Sequence, residues 1–125
     1  MVDTVVHAEI IGEHPDELRA FYSALFGWDA PPGDPVASEV SDPESYSFNP
    51  SPGGDGVPVG IGGGSGFAPR VVFYVGVDDV AATLGRAVAL GATIVVAVTT
   101  RPDGGVRVAQ FADPEGNIIG LAGPA

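Results

Sequence analysis

Hydrophobic and polar positions along the chain alternate between two periods, and the switch happens twice. Residues 4–11, "TVVHAEII", are β-branched and apolar and predict a strand. The period then changes to that of a helix. Pro15 suits a first helical position, Asp16 and Glu17 suit the positive end of the helix dipole, and Leu18, Phe21, Tyr22, Leu25 and Phe26 fall on one stripe. That stripe is expected to face the core. Gly27 is a natural left-handed stop, and residues 29–36, "DAPPGDPV", cannot continue a helix.

The middle of the chain predicts three short strands, at residues 37–40, 46–49 and 57–61, separated by Pro and Gly clusters. Residues 62–66, "GGGSG", read as a flexible connector; a phosphate loop would need a Lys-Ser/Thr ending and a following helix, and neither is there. The pattern then restarts. Residues 70–77, "RVVFYVGV", predict a strand, Asp78 or Asp79 a helix cap, residues 80–90 a helix with Val80, Leu84, Ala87 and Val88 inward, and Gly91 its stop. Strands follow at residues 94–98, 107–112 and 117–121, the last two joined by "DPEGN" with Pro114 and Gly116 at the reversal. Strand, helix, glycine stop and three strands therefore occur twice, as module one (3–63), a Gly-rich linker (62–68) and module two (69–123) of a single domain. Each half is too small to bury its sheet alone.

Composition narrows the function. Sixteen acids against 5 bases give a formal net charge of −11, the opposite of what phosphate-backbone binding requires, so no nucleic-acid partner is expected. An acidic surface favours solubility and attracts cations. There is no cysteine, which removes disulfides and Cys-ligated zinc. The first ten residues lack a secretory pattern, and the longest apolar run, residues 88–98, falls well short of the ~20 residues that span a bilayer. A cytoplasmic protein without membrane association is the expectation.

The segments "HAEI…HPDELRAFYSALFGW", "FYVGVDDVAATLGRAVALGATIVV" and "VAQFADPEGNIIGL" together resemble the vicinal oxygen chelate superfamily, the group of glyoxalases, bleomycin-resistance proteins and extradiol dioxygenases. The likeness covers nearly the whole chain and is weakest over residues 30–68. It implies an α+β fold: two βαβββ modules whose mixed sheet curls into an incomplete barrel, helices outside and a cavity inside. It also implies a homodimer, and in the enzymes a divalent metal held by His and Glu on the first and last strand of each module. Carried over position by position, the ligand sites fall on His7, on Val72, on Gly120, and near residues 59–62, where no acid or histidine stands; Asp55 is nearby in a "GGDG" turn. One of four is retained.

The donor count agrees. Zinc in enzymes takes three protein ligands, and facial-type iron two histidines and a carboxylate. His7 and Glu9 lie two apart on a strand and share a face, while His14 sits at the helix start. Only His7 and Glu9 are candidate metal ligands, and no cofactor is expected. The same alternation puts Val6, Ala8 and Ile10 toward the helix in module one, and Val71, Phe73, Val75 and Val77 toward it in module two. His7, Glu9, Ile11, Val72, Tyr74, Gly76, Ile118 and Gly120 then face the cavity, with Gly76 and Gly120 leaving room for a ligand. Trp28, Tyr46, Phe48, Phe67 and Tyr74 are the candidate aromatic lining, and Arg107 and Gln110 candidate polar anchors. No nucleophile elbow surrounds any serine, and no catalytic residue is assigned.

The expectation is a metal-independent protein that binds a small organic ligand, an aromatic or cationic antibiotic or natural product, and sequesters it, as in bleomycin-type resistance. The alternative is a glyoxalase- or dioxygenase-like lyase, isomerase or biosynthetic enzyme using His7 and Glu9.

Overall fold

A computed structural model describes residues 2–51 and 55–125. The elements run β1 (Thr4–Gly12), α1 (Pro15–Phe26), β2 (Ser47–Asn49), β3 (Val59–Gly63), β4 (Arg70–Gly76), α2 (Val80–Ala89), β5 (Thr93–Thr100), β6 (Val106–Ala112) and β7 (Ile118–Pro124). The class is α+β with mixed strand pairing. Contacts divide the chain into two compact units, His7–Val71 and residues 2–6 with Val72–Ala125, here the first and second halves.

In the first half the strand order is β2-β3-β1, with β1 and β3 parallel and β2 antiparallel to β3. In the second it is β4-β7-β6-β5, with β4 and β7 parallel and the other pairs antiparallel. The register repeats between the halves. Gly60 is paired with Glu9 on one side and Phe48 on the other; Gly120 is paired with Tyr74 and Gln110.

The second half has the cleaner core. Asp79 caps α2 by accepting from the Ala82 N–H at 3.0 Å. Val80 and Leu84 of that helix are buried against Val77, Ala109 and Leu121, with Val75, Val98 and Phe111 packed around them. The helix lies on β5, β6 and β7. The expectation that Val71 and Phe73 would also meet it is corrected: they are 71% and 42% exposed.

In the first half α1 begins after His14 without a side-chain cap and ends at Gly27, whose φ is 74°. Its stripe does not sink into a core. Phe21 and Leu25 are each 58% exposed and Phe26 is 56%, and Pro15 is the buried residue of the helix, which packs against β3. The aromatic rings pack on one another instead: Tyr22 stacks on Phe26 and Trp28, with centroids 6.0 and 5.6 Å away.

Two further expectations change here. Residues 37–40 form a turn, not a strand: the Val40 and Ser41 N–H groups both reach the Ala37 carbonyl, at 2.9 and 3.3 Å. The buried Val36, Ala37 and Val40 produced the strand-like pattern. Gly62 and Gly63 are buried strand residues of β3 and not linker. A Cβ on Gly63 would stand 2.0 Å from the Gly12 carbonyl oxygen, so two backbones approach as only glycine permits. The "GGDG" turn read beside Asp55 lies partly outside the described residues.

Candidate functional site

The first half gathers four of the residues singled out in the sequence. Glu9 sits in the middle of β1, 2% exposed. The Tyr46 hydroxyl donates to Glu9 Oε2 at 3.1 Å and stands 2.8 Å from His7 Nε2. A phenol has one proton to give, so with that proton on Glu9 the Tyr46 oxygen accepts from His7. His7 Nε2 lies 3.9 Å from Glu9 Oε2, and its side chain keeps 17% of its surface exposed. The Phe48 ring stacks on the imidazole, with centroids 5.5 Å apart and planes at 16°. The result is a buried carboxylate reached through a hydroxyl, with an imidazole–phenyl stack at its accessible end.

Tyr46 is held by a segment with little regular structure. Its carbonyl accepts from the Gly33 and Asp34 N–H groups at 2.9 and 3.0 Å. The Asp34 carboxylate takes the Phe48 N–H at 2.8 Å, and the Arg19 guanidinium reaches the Ser45 carbonyl at 2.7 Å. Ser41, fully buried, accepts from the Gly63 N–H at 2.8 Å. Asp34 and Ser41 were missed in the sequence: their partners stand 14 and 22 residues along the chain, beyond the reach of any local pattern.

The ring of Tyr46 occupies the space over β3. A Cβ added to Gly60 would lie 1.9 Å from the Tyr46 hydroxyl oxygen, and one on Gly62 would lie 2.7 Å from Cδ1 of the same ring. The second half repeats the device: a Cβ on Gly120 would meet the Tyr74 ring at 2.3 Å. There the hydroxyl accepts from Gln110 Nε2 at 2.8 Å, and both side chains are buried. The expectation that Gly76 and Gly120 leave room for a ligand is therefore corrected. Tyr74 fills the space at Gly120, and a Cβ on Gly76 would lie 2.8 Å from a Val6 methyl.

The remaining candidates fall elsewhere. Trp28 belongs to the α1 aromatic group and, with Arg19 and Asp29, lines a shallow cleft of about 270 Å³. Phe67 is half-buried in the turn closed by its N–H on the Gly64 carbonyl. Arg107 is exposed, paired with Gly123.

A model of the glyoxalase-like domain matches residues 6–122. The chain belongs to the glyoxalase-like domain family. The protein named "Putative glyoxylase CFP32" from Mycobacterium bovis is 29% identical over 118 residues, covering 82% of this chain and 39% of its own length. This glyoxalase-like chain thus spans 39% of the length of the curated relatives it matches. Among solved structures, Streptomyces coelicolor methylmalonyl-CoA epimerase, in complex with 2-nitronate-propionyl-CoA, aligns with a TM-score of 0.67 at 17% identity, covering 100% of this chain and 99% of that one. A glyoxalase/bleomycin resistance protein/dioxygenase superfamily member from Vibrio splendidus aligns with a TM-score of 0.61 at 19% identity, covering 99% and 100%. At these identities the likeness shows the shared fold.

The superfamily's divalent metal does not fit the residues present. Among the described residues no three His, Cys, Asp or Glu side chains gather where they could hold an ion. His7 and Glu9 are two donors, one short of the usual protein set. Gly120, where the superfamily resemblance calls for a carboxylate, cannot carry a side chain while Tyr74 stays in place.

Proposed function

We propose that this glyoxalase-like protein binds a small organic molecule without a metal ion and sequesters it unchanged. The observation that carries this reading is the pair of tyrosine rings lying over Gly60 and Gly120, which take up the space a metal-ligating side chain would need. What the first half then offers a ligand is recognition: a flat imidazole–phenyl stack at His7 and Phe48, and a buried carboxylate at Glu9 behind Tyr46. Stacking surfaces suit planar ligands, and a few fixed polar groups in apolar surroundings are the usual make-up of a small-molecule site. The net charge of −11 favours a cationic ligand. A planar cationic natural product is the ligand class we infer.

Glu9 supports a second reading. A buried carboxylate hydrogen-bonded through a phenol to an imidazole is also the equipment of general acid–base catalysis. One experiment separates the two. Untagged protein is analysed for metal by mass spectrometry, then titrated with ethidium and related planar cations, and each compound is recovered and identified. Sequestration predicts no stoichiometric metal, binding weakened about tenfold (about 1.4 kcal/mol) in His7→Ala, and unaltered compound. Chemical conversion of a bound compound favours the enzyme. Stoichiometric zinc that disappears in His7→Ala overturns the metal-free reading.

A further inference from the structure

We propose that Gln110 is a ligand anchor in the second half: its side-chain amide oxygen accepts a hydrogen bond from a hydroxyl or N–H of an otherwise apolar, uncharged part of a small molecule. The inference rests on the small-molecule-binding reading and adds to it the chemistry of a second contact.

The orphaned atom is the starting point. Gln110 is fully buried on β6, its Nε2 donates to the Tyr74 hydroxyl, and its Oε1 has no hydrogen-bond partner. The leftover end is an acceptor because Nε2 is the end on the Tyr74 hydroxyl; turned end for end, the amide would leave a donor over instead, and the ether probe would then bind as well as the naphthol. Buried polar groups are paired as a rule, and an exception calls for an explanation, of which a partner supplied from outside is one.

The surroundings say what that partner is like. Strand alternation and register place Val72, Tyr74 and Gly76 of β4, Ile118, Gly120 and Ala122 of β7, and Val108, Gln110 and Ala112 of β6 on one face. Across these nine positions the polar side-chain atoms are the Tyr74 hydroxyl and the Gln110 amide; β5 adds Val96 opposite Gln110 and, farther along, the hydroxyls of Thr93 and Thr99 opposite Ala112 and Val108, and no side chain is charged. Val108, Ala112 and Ile118 are half-buried, leaving apolar surface open beside the buried amide. Arg107 points from the opposite face of β6 and is exposed, so no cation waits here for a carboxylate or phosphate. The face fits an apolar body presenting one donor.

The test uses the intact chain and two probes that differ by one donor, 1-naphthol and 1-methoxynaphthalene, with affinities from isothermal titration. Wild type is expected to prefer the naphthol by about tenfold, the scale of one well-made hydrogen bond. Gln110→Leu removes that preference. Gln110→Glu, which retains an acceptor oxygen, keeps the preference and serves if the leucine variant does not fold. Equal affinity for the two probes, binding of neither, a preference that survives Gln110→Leu, or a crystal with naphthol soaked in that shows only a water at Oε1 overturns the proposal. If the planar cations bind while any of these results is found, Gln110 is wrong and the binding reading stands; if nothing binds, both fall.

Discussion

The two halves solve the same packing problem with different chemistry. Each sets a tyrosine ring over a strand glycine, Tyr46 over Gly60 and Tyr74 over Gly120. Tyr74 comes from β4, the strand paired directly with Gly120, so its placement follows from register. Tyr46 comes from just outside β2, and its place depends on backbone bonds to Gly33, Asp34 and, beside it, Ser45. The hydroxyls end differently as well. That of Tyr46 meets a carboxylate and an imidazole; that of Tyr74 meets an amide. The same repeat therefore yields an ionisable site in one half and a neutral one in the other.

The sharpest way to break the comparison is to add a methyl group under each ring. At Gly120 the new Cβ meets Cδ2 and Cγ, at 2.3 and 2.7 Å, near the root of the Tyr74 ring, which cannot swing clear without moving β4. At Gly60 it meets the far end of Tyr46, the hydroxyl and Cζ, which can withdraw along the ring axis. Gly120→Ala is expected to cost about 3 kcal/mol and Gly60→Ala about 1 kcal/mol, by the usual scale of overpacking. Urea denaturation measures both. Equal costs would mean that the two rings are equally free to move.

The sequence announced Tyr74 and Tyr46 unequally for the same reason. Periodicity placed Tyr74 on one face with Val72, because residues 70–77 are an unbroken strand pattern. It named Tyr46 as aromatic lining but could not say that the ring would lie over β3, since the one pattern in residues 30–45, at 37–40, belongs to a turn. Both helices, the Gly27 stop and the "DPEGN" reversal were legible because caps, prolines and glycines act locally. The burial of the α1 stripe was misjudged. Periodicity shows that apolar residues share a face, not that anything covers it, and Phe21 and Leu25 stay open. Gly76 and Gly120 read as space for a ligand because sequence cannot tell room left for a guest from room used by a neighbour.

Removing each hydroxyl sharpens the contrast further. Tyr46→Phe deprives buried Glu9 of a donor, whereas Tyr74→Phe deprives a neutral amide of an acceptor. Hydrogen bonds to charged groups are worth more, so the expected losses are about 2 kcal/mol for Tyr46→Phe and about 1 kcal/mol for Tyr74→Phe. If Tyr74→Phe proves the costlier, Glu9 does not depend on Tyr46 as described. Ligand binding by the planar cations should fall in Tyr46→Phe and hold in Tyr74→Phe.

The helices differ by one cap. Asp79→Ala removes the bond to the Ala82 N–H and should cost about 1 kcal/mol in thermal or urea unfolding, the typical value of an N-cap. His14→Ala, at the corresponding place before α1, removes no cap bond and should leave stability nearly unchanged.

The smallest effect is an acid-side slope from the second half. Asp113, at the head of the "DPEGN" reversal, takes the Asn117 side-chain N–H at 2.9 Å and the Asn117 and Glu115 backbone N–H groups at 3.0 and 2.9 Å. These bonds, the Asn117 side chain first, hold its pKa below the ordinary 3.8. The folded chain therefore releases this proton more readily than the unfolded chain. The stabilisation is complete above the unfolded value and is lost as pH falls through the lowered folded value. Because the carboxylate stands at the surface in a turn, the slope should be shallow and weaken with salt. Asp113→Asn should remove its share of the stability lost on acidification, read as a flatter midpoint-against-pH curve below about pH 4. An unchanged curve would show that the turn's bonds do not distinguish the two ionisation states.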